Sequence, residues 1–392
     1  MLRIAVIFES SPFDRKGLFN AVHNRIRHLL ATGECEIDAY CIHSRDNALT
    51  RRLRHTPEVP EVDEATVEDI RYRILWYDFS ITDHILLHKL RTRPMFFQRF
   101  VRICSEQLGG YDCIMAHSFT GGLIARAASA LYGTPYFITW HGSDIHTHPW
   151  RNPLILKETR ALMNGAECNF FVSAALKAEA SRISPDATKE ILYNGVHKDF
   201  RRMPDEQRKA LRKSYLVGDE DKVVAFAGNL LAVKNVHCLP TLFNAIRADY
   251  KGKLKFWIIG DGKLRSSVEK AMRENKDIDV RFWGNMPAAE MPSLMNCIDL
   301  LILPSINEGL PLVCAEAISC GASVIGSDVG GIPEVIDKEQ TVPHGEYFIK
   351  EMTAKAVAAL SAPPVQIIPP EMDWNSTAAK ELAAIRKTLQ SE

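Results

Sequence analysis

No sign of charge is in surplus: Lys and Arg together number 48, as do Asp and Glu. The chain therefore lacks the basic footprint that nucleic-acid binding leads one to expect. No apolar run approaches the ~18–20 residues that cross a bilayer. The opening Met1-Leu2-Arg3-Ile4-Ala5-Val6-Ile7-Phe8 reaches Glu9 and Asp14 without a small-residue cleavage site, so it reads as a first strand and not a leader. The nine cysteines contain no Cys-x-x-Cys pair, and several lie inside apolar runs, as reduced core thiols of a cytosolic protein do. A cytoplasmic setting is expected. Present in ordinary measure are hydrophobic residues, 46%, and charged residues, 24%, enough for each half to bury a core. At 392 residues the length predicts two domains and excludes a single small module.

Short β-rich apolar runs alternate with helical patterns: Arg3–Phe8, Cys35–Cys41, Cys113–Ala116, Tyr136–Trp140, Cys168–Val172 and Glu190–Leu192, then Lys222–Ala227, Leu254–Ile259, Asp279–Trp283, Leu300–Leu303 and Ser323–Ile325. That alternation predicts parallel α/β units. Trp257-Ile258-Ile259 and Leu300-Leu301-Ile302-Leu303 are apolar without a period of two, which suits strands covered on both faces. The turn Asn194-Gly195-Val196-His197-Lys198-Asp199 precedes a polar helix start near Asp205 and marks the boundary. Residues 1–197 then form one Rossmann-like domain, and 198–370 form a second. Past the Pro-rich Ala362–Pro370 stretch, residues 371–392 form a last helix expected to pack back on the first domain. Two doubly wound domains in tandem put the carboxyl ends of two parallel sheets in position to face a central cleft, where ligands of such sheets bind.

The most informative segment runs from Leu303-Pro304-Ser305-Ile306-Asn307-Glu308-Gly309-Leu310-Pro311 to Gly321. A buried strand ends near Pro304, a Gly-containing loop follows, Pro311 stands where a helix should begin, and Gly321 stops it. Such a loop offers backbone N–H groups and a positive helix end to an anion, a diphosphate being the obvious occupant. Glu308 and Glu316 would repel phosphate on contact, so their economical use is to accept hydrogen bonds from sugar hydroxyls on either side of it. On spacing alone, a capping Glu308 and a solvated Glu316 are equally good readings.

In this setting the Glu308-x7-Glu316 pair resembles the signature of retaining nucleotide-sugar glycosyltransferases of the GT-B fold, glycosyltransferase family four. Agreeing in order and spacing are Val172-Ser173, Asn194-Gly195-Val196, Gly228 to Lys234-Asn235, Gly260-Asp261-Gly262, Gly284, Asp299 to Pro304-Ser305, and Gly330-Gly331-Ile332-Pro333-Glu334. The resemblance implies that Glu316 holds ribose hydroxyls and Glu308 holds hydroxyls of the transferred sugar. It also sets the backbone of Gly309, Leu310, Pro311 and Leu312 against diphosphate and sugar. Lys234 would neutralise the leaving diphosphate without a metal ion. The family commonly carries Arg five residues before that lysine, where this chain has Asn229. Gly17 resembles the loop glycines that approach the diphosphate, although the family has two adjacent glycines and this chain has Lys16-Gly17. Gly260-Asp261-Gly262 has Arg265 where a third glycine would stand, so a dinucleotide fingerprint is incomplete.

In the first half, Ile114-Met115-Ala116-His117-Ser118 and Thr139-Trp140-His141-Gly142-Ser143-Asp144 put His117 and His141 at strand ends. His117 resembles the family histidine near sugar and diphosphate, and His141 with Asp144 are acceptor-side candidates. His141, Asp144, His146 and His148 have no standard zinc spacing. Asp219-Glu220-Asp221 and Asp277-Ile278-Asp279 precede strands, so neither ends one as an acidic metal motif does. No metal or other cofactor is expected. Residues 71–102 interleave Arg71, Arg73, Lys89, Arg91, Arg93, Arg99 and Arg102 with Tyr72, Trp76, Tyr77, Phe79, Phe96, Phe97 and Phe100. Two readings stand for this stretch: two helices with an aromatic core face and solvated arginines, or a surface that docks on the anionic inner face of a membrane.

The resulting expectation is a retaining, metal-independent hexosyltransferase that takes sugar from a UDP- or GDP-sugar to a glycan or lipid-linked acceptor in cell-surface polysaccharide or glycolipid synthesis. His117, Glu308 and Lys234 would carry the chemistry. The alternatives are a nucleotide-sugar 2-epimerase of the same fold and a catalytically silent nucleotide-sugar-binding subunit.

Overall fold

The computed structural model describes residues 1–13, 17–46, 51, 58–88, 95–274, 278–363 and 365–390. The chain divides into two units, Met1–Asn194 with Asp373–Glu392, and Gly195–Met372. The boundary read at 197 thus falls at Asn194, and the return read at 370 falls at Met372.

The first unit contains β1 (Leu2–Glu9), β2 (Cys35–Asp46), β3 (Glu64–Val67), β4 (Ile70–Phe79), β5 (Cys113–His117), β6 (Tyr136–Trp140), β7 (Cys168–Phe171) and β8 (Lys189–Ile191) in the order β3-β4-β2-β1-β5-β6-β7-β8. All neighbours are parallel except β3 and β4. Central β1 pairs with both β2 and β5, and Ile4 to Phe8 are wholly buried, as an apolar run without alternation demands.

The helical reading of residues 71–102 is corrected over its first third, because Ile70–Phe79 is strand β4. Tyr72 and Ile74 are buried while Arg71 and Arg73 are exposed, and this period of two is the strand signature. Arg71 is ion-paired with Glu64, and Arg73 lies 3.0 Å from Tyr40 Oη and 3.8 Å from Asp38. Helices Ile81–His88 and Met95–Ser105 follow. Lys89, Arg91 and Arg93 lie outside the described residues, as do the side chains of Phe79, Phe96 and Phe97.

The second unit contains β9 (Asp221–Ala227), β10 (Lys253–Ile259), β11 (Val280–Gly284), β12 (Leu300–Leu303), β13 (Ser323–Ser327) and β14 (Thr341–Val342) in the order β11-β10-β9-β12-β13-β14. Every pair is parallel, so the loops after β9, β10, β12 and β13 leave from one edge. The two-residue β14 had no sequence signal.

Helix Trp374–Leu389 belongs to the first unit: Ala378, Leu382 and Ile385 share a core with Ile26 and Leu29 of helix Gly17–Ala31. Asp373 starts it by accepting a hydrogen bond from Ser376 N–H at 2.8 Å, the reason an Asp stands at such a position. Its buried face carries a charge as well. Glu381 Oε1 lies 3.2 Å from Arg25 Nη1, and the same guanidinium donates to Thr139 Oγ1 at 2.9 Å and Asn194 Oδ1 at 3.1 Å. Both side chains are 1% exposed. Burial raises the Glu381 carboxyl while Arg25 opposes the rise. Removing one member of a buried pair strands the other and costs about 3–5 kcal/mol, whereas replacing both by apolar residues of similar volume is close to neutral. Arg25→Met should therefore lower the urea midpoint of the first unit sharply, and Arg25→Met with Glu381→Leu should recover most of the loss. Additive losses in the double variant would show that the two charges do not support each other.

Candidate functional site

At the carboxyl edge of the second sheet, the loops after β9 and β12 are tied together by Ile306 N–H, which donates to Val233 O at 2.8 Å. This brings Lys234, at the end of the short turn Ala232–Lys234, against the loop that carries Glu308. Lys234 Nζ lies 2.5 Å from Glu308 Oε1, and Ser305 Oγ donates to the same oxygen at 2.7 Å. The Glu308 side chain is 9% exposed and that of Lys234 22%, so this pair is shielded more than a surface ion pair but still open to a ligand. Glu308 is accordingly no helix cap.

A third loop clamps Glu308 from behind. Gly331 N–H donates to Glu308 O at 3.2 Å. Gly330 adopts φ +52°, and a Cβ there would come within 2.1 Å of Glu308 O. Only glycine allows both the left-handed backbone and that approach. Gly330-Gly331 is therefore part of the site. Gly260 serves a similar end farther along the edge, since at φ +124° its Cβ would fall 2.1 Å from Gly228 O. The glycines after β10 thus seat one loop on another.

The helix after this loop spans Leu312–Ser319, one residue later than Pro311 suggested. Pro311 has no N–H, and Leu312 N–H is taken by Leu310 O at 3.0 Å. Of the four backbone positions expected to cradle a diphosphate, the N–H groups of Gly309 and Leu310 remain without a partner among the described residues. Asn229 is exposed and its carbonyl accepts from Leu231 N–H at 2.8 Å. Arg265 does not stand in for the missing cation, since it pairs with Asp261 at 3.0 Å and Glu269 at 2.7 Å. One turn into the helix, Glu316 keeps some exposed surface, yet the atoms crowded about its carboxyl push it up to about 7 by burial. The solvated reading of Glu316 does not hold.

In the first unit, β5 ends at His117 and β6 at Trp140, which brings His117 Nδ1 within 3.0 Å of His141 Nε2. His117 has no exposed surface, and its Nε2 has no hydrogen-bond partner among the described residues. His141 is only half-buried, so it is the imidazole that solvent reaches. Burial is the first cause that holds both rings well below the ordinary histidine value, His141 at about 3, with Arg25 adding to it. Neutral rings separated by 3.0 Å share a single N–H between the facing nitrogens. Asp144, read as an acceptor contact, is corrected to a loop anchor. It is 5% exposed, and its oxygens accept from Gly142 N–H at 2.8 Å and from His141 N–H at 3.2 Å. Burial raises its carboxyl, and the Gly142 and His141 amides pull the other way. Ser118, which also bonds Asp144, has the strained φ of +63° beside His117, a departure typical of functional sites. Gly17 is exposed with open space where a Cβ would stand, so the protein itself does not require a glycine there. Among the described residues no three His, Cys, Asp or Glu side chains are grouped to hold a metal ion, and His146 bonds Thr147 Oγ1 at 2.7 Å. Likewise, no helix among them is long and apolar enough to cross a membrane.

Two parallel-sheet units, with an anion-ready loop and paired Lys234 and Glu308 in the second, define a GT-B glycosyltransferase fold. The chain belongs to the glycosyltransferases of this kind: residues 207–362 match the family described as glycosyl transferases group 1, and residues 19–195 match the glycosyl transferase 4-like domain. Among solved structures it is similar to sucrose-phosphate synthase from Thermosynechococcus elongatus, with TM-score 0.75, 15% identity and 100% of each chain covered. It is also similar to Anabaena HepE in complex with UDP and glucose, with TM-score 0.69, 16% identity and 100% and 99% covered. By sequence it is 26% identical over 248 residues to a Bacillus subtilis glycosyltransferase assigned to teichuronic acid biosynthesis, across 63% of this chain and 59% of that protein. It is 24% identical over 273 residues to alpha-maltose-1-phosphate synthase of Mycobacterium tuberculosis, across 64% and 70%. The match thus spans less than two thirds of the Bacillus protein.

Ser305, Arg25 and Glu381 carry no role in the sequence reading. Ser305 and Gly330 lay inside matching segments. The buried charges gave no signal, because polar residues on a helix look solvated until a partner is known.

Glu316 yields a prediction about the protein alone. Its carboxyl ionises near 4.5 when unfolded and near 7 when folded, so unfolding releases a proton between those values and stability falls as pH rises through that window. A neutral amide escapes the penalty. Glu316→Gln should thus gain on wild type between pH 5 and 8, by up to about 3 kcal/mol, compared by urea unfolding. A difference that does not change with pH would mean the carboxyl is not desolvated.

Proposed function

We propose that this glycosyltransferase is a retaining, metal-independent enzyme that moves a hexose from a UDP- or GDP-sugar to a glycan or lipid-linked acceptor in cell-surface polysaccharide or glycolipid synthesis. The observation that carries this reading is the meeting of the Lys234 ammonium with Glu308 beside the unpartnered N–H groups of Gly309 and Leu310. An ammonium has three donors, so Lys234 can keep Glu308 in place and still meet a phosphate oxygen. The teichuronic acid assignment of the Bacillus relative and the UDP and glucose held by HepE support the donor and product classes.

In the proposed reaction the bond between the anomeric carbon and the diphosphate oxygen breaks. The acceptor hydroxyl bonds to that carbon from the same face, and its proton passes to the departing diphosphate. Lys234 and the two N–H groups stabilise the charge that develops on the leaving group, the role of a preformed oxyanion site. Glu308 would hold hydroxyls of the sugar and Glu316 those of the ribose, while His141, the ring that solvent reaches, would present the imidazole of the first unit with buried His117 hydrogen-bonded behind it. Docking on an anionic membrane through residues 71–102 is left out of the proposal, since Tyr72, Tyr77 and Phe100 are core residues.

The test is a screen of UDP-, GDP- and ADP-sugars by thermal shift and hydrolysis, followed by NMR of the product anomer. One donor should stabilise and turn over, the anomeric configuration should persist, and EDTA should leave the rate unchanged. Lys234→Ala should lower turnover by roughly 10²–10³-fold, and Glu316→Ala should weaken nucleotide binding by roughly 1.5–3 kcal/mol for each hydrogen bond removed. Conversion of donor alone to its 2-epimer would replace transfer by isomerisation. Tight binding with neither transfer nor hydrolysis would mark a silent subunit. An inverted product, or activity lost to EDTA and restored by manganese or magnesium, would refute retention or metal independence.

A further inference from the structure

An open cavity of about 450 Å³ lies at the other edge of the second unit's sheet, where β9 begins at Asp221, β12 at Leu300 and β13 at Ser323. Lys234 and Glu308 follow the far ends of these parallel strands. The seven residues of β9, at about 3.3 Å each, put roughly 20 Å between the edges. The cavity is therefore separate from the site described above.

Its described lining holds Arg202, Arg208 and Lys222, and one acid, Asp299. That carboxylate is already saturated: Oδ1 accepts from Arg208 Nη2 at 3.1 Å, and Oδ2 from Arg212 Nη1 at 3.0 Å and Val223 N–H at 2.8 Å. Lys222 Nζ stands 3.9 Å from Oδ1, too far for a hydrogen bond. Arg202, its aliphatic stem lying over Gly321, pairs with exposed Asp205 at 3.2 Å. Among the described residues the ion-pair partners of Arg202, Arg208, Lys222 and the adjoining Arg212 are Asp205 and Asp299; Arg208 and Arg212 are spent on Asp299 and on backbone carbonyls, which leaves Lys222 and Arg202 to meet an anion. Ile318 and Leu360, both buried, add an apolar wall.

We propose that this cavity binds an organic phosphate monoester, its dianionic head against Lys222 and Arg202 and its organic part against Ile318 and Leu360. A phosphate monoester carries close to two charges at neutral pH, and the half-buried Lys222 ammonium and the exposed Arg202 guanidinium supply several N–H donors to meet them. Neither group takes part in donor binding under the function proposed above, so the two readings stand or fall separately.

Phenyl phosphate combines the two features in the smallest probe, and its binding to the full chain is measured by isothermal titration calorimetry. It should bind more tightly than inorganic phosphate or benzyl alcohol. Its affinity should fall at least tenfold in Lys222→Glu and in Arg202→Glu and stay unchanged in Lys234→Ala. Thermal midpoints check that each variant is folded. Arg202→Glu carries the test if Lys222→Glu does not fold, because Arg202 sits on the surface with Asp205 as its ion-pair partner. No binding to wild type, affinity no better than inorganic phosphate, unchanged affinity in a folded cavity variant, or loss in Lys234→Ala would overturn the proposal.

Discussion

The hydrogen-bonded ion pair of Lys234 and Glu308 is the constraint around which the second unit is arranged. A carboxylate placed beside an anion cradle would repel the anion unless a cation stayed with it, and Lys234 supplies that cation 2.5 Å away. Holding the pair requires three loops at once, since Ser305 bonds the carboxylate, Val233 receives Ile306 N–H, and Gly331 reaches the Glu308 carbonyl. A parallel sheet delivers those loops to one edge, and buried strands such as Leu300–Leu303 fix where they start. Stiffness here follows from backbone contacts more than from the ion pair itself.

The first unit uses charge differently. Arg25 and Glu381 are taken out of water to join two helices to β6 and to Asn194, and the positive charge of Arg25 helps keep His117 and His141 neutral. A buried pair of this kind contributes little net stability but makes any other arrangement of the C-terminal helix costly. The last helix of the chain thereby becomes an integral part of the first unit, and the environment of the histidine pair depends on it.

Much of this was legible in the sequence where one side chain or one run decides the outcome. Unbroken apolar runs marked β1, β9, β10 and β12, and the strand–loop–helix around Glu308 marked the anion-ready edge. Contacts between distant segments were not legible. The Ser305 hydroxyl, the close approach of Gly330 and the burial of Glu316 depend on which loops meet. The alternation in Ile70–Phe79 was hidden because arginines and tyrosines at period two also suit an amphipathic helix over so short a stretch. Asp144 looked like a substrate contact for a related reason: an acid in a loop is free on paper and is spent here on two backbone amides.

Hydrogen-exchange mass spectrometry of the full chain, with and without the nucleotide sugar that stabilises it, tests most directly whether the carboxyl edge of the second sheet is the donor site. Slower exchange is predicted in residues 228–236, 305–316 and 328–334, with the amides of Gly309 and Leu310 among the most protected and those at the start of β9 and β13 unchanged. Protection absent from 305–316, or confined to the amino edge, would contradict the account.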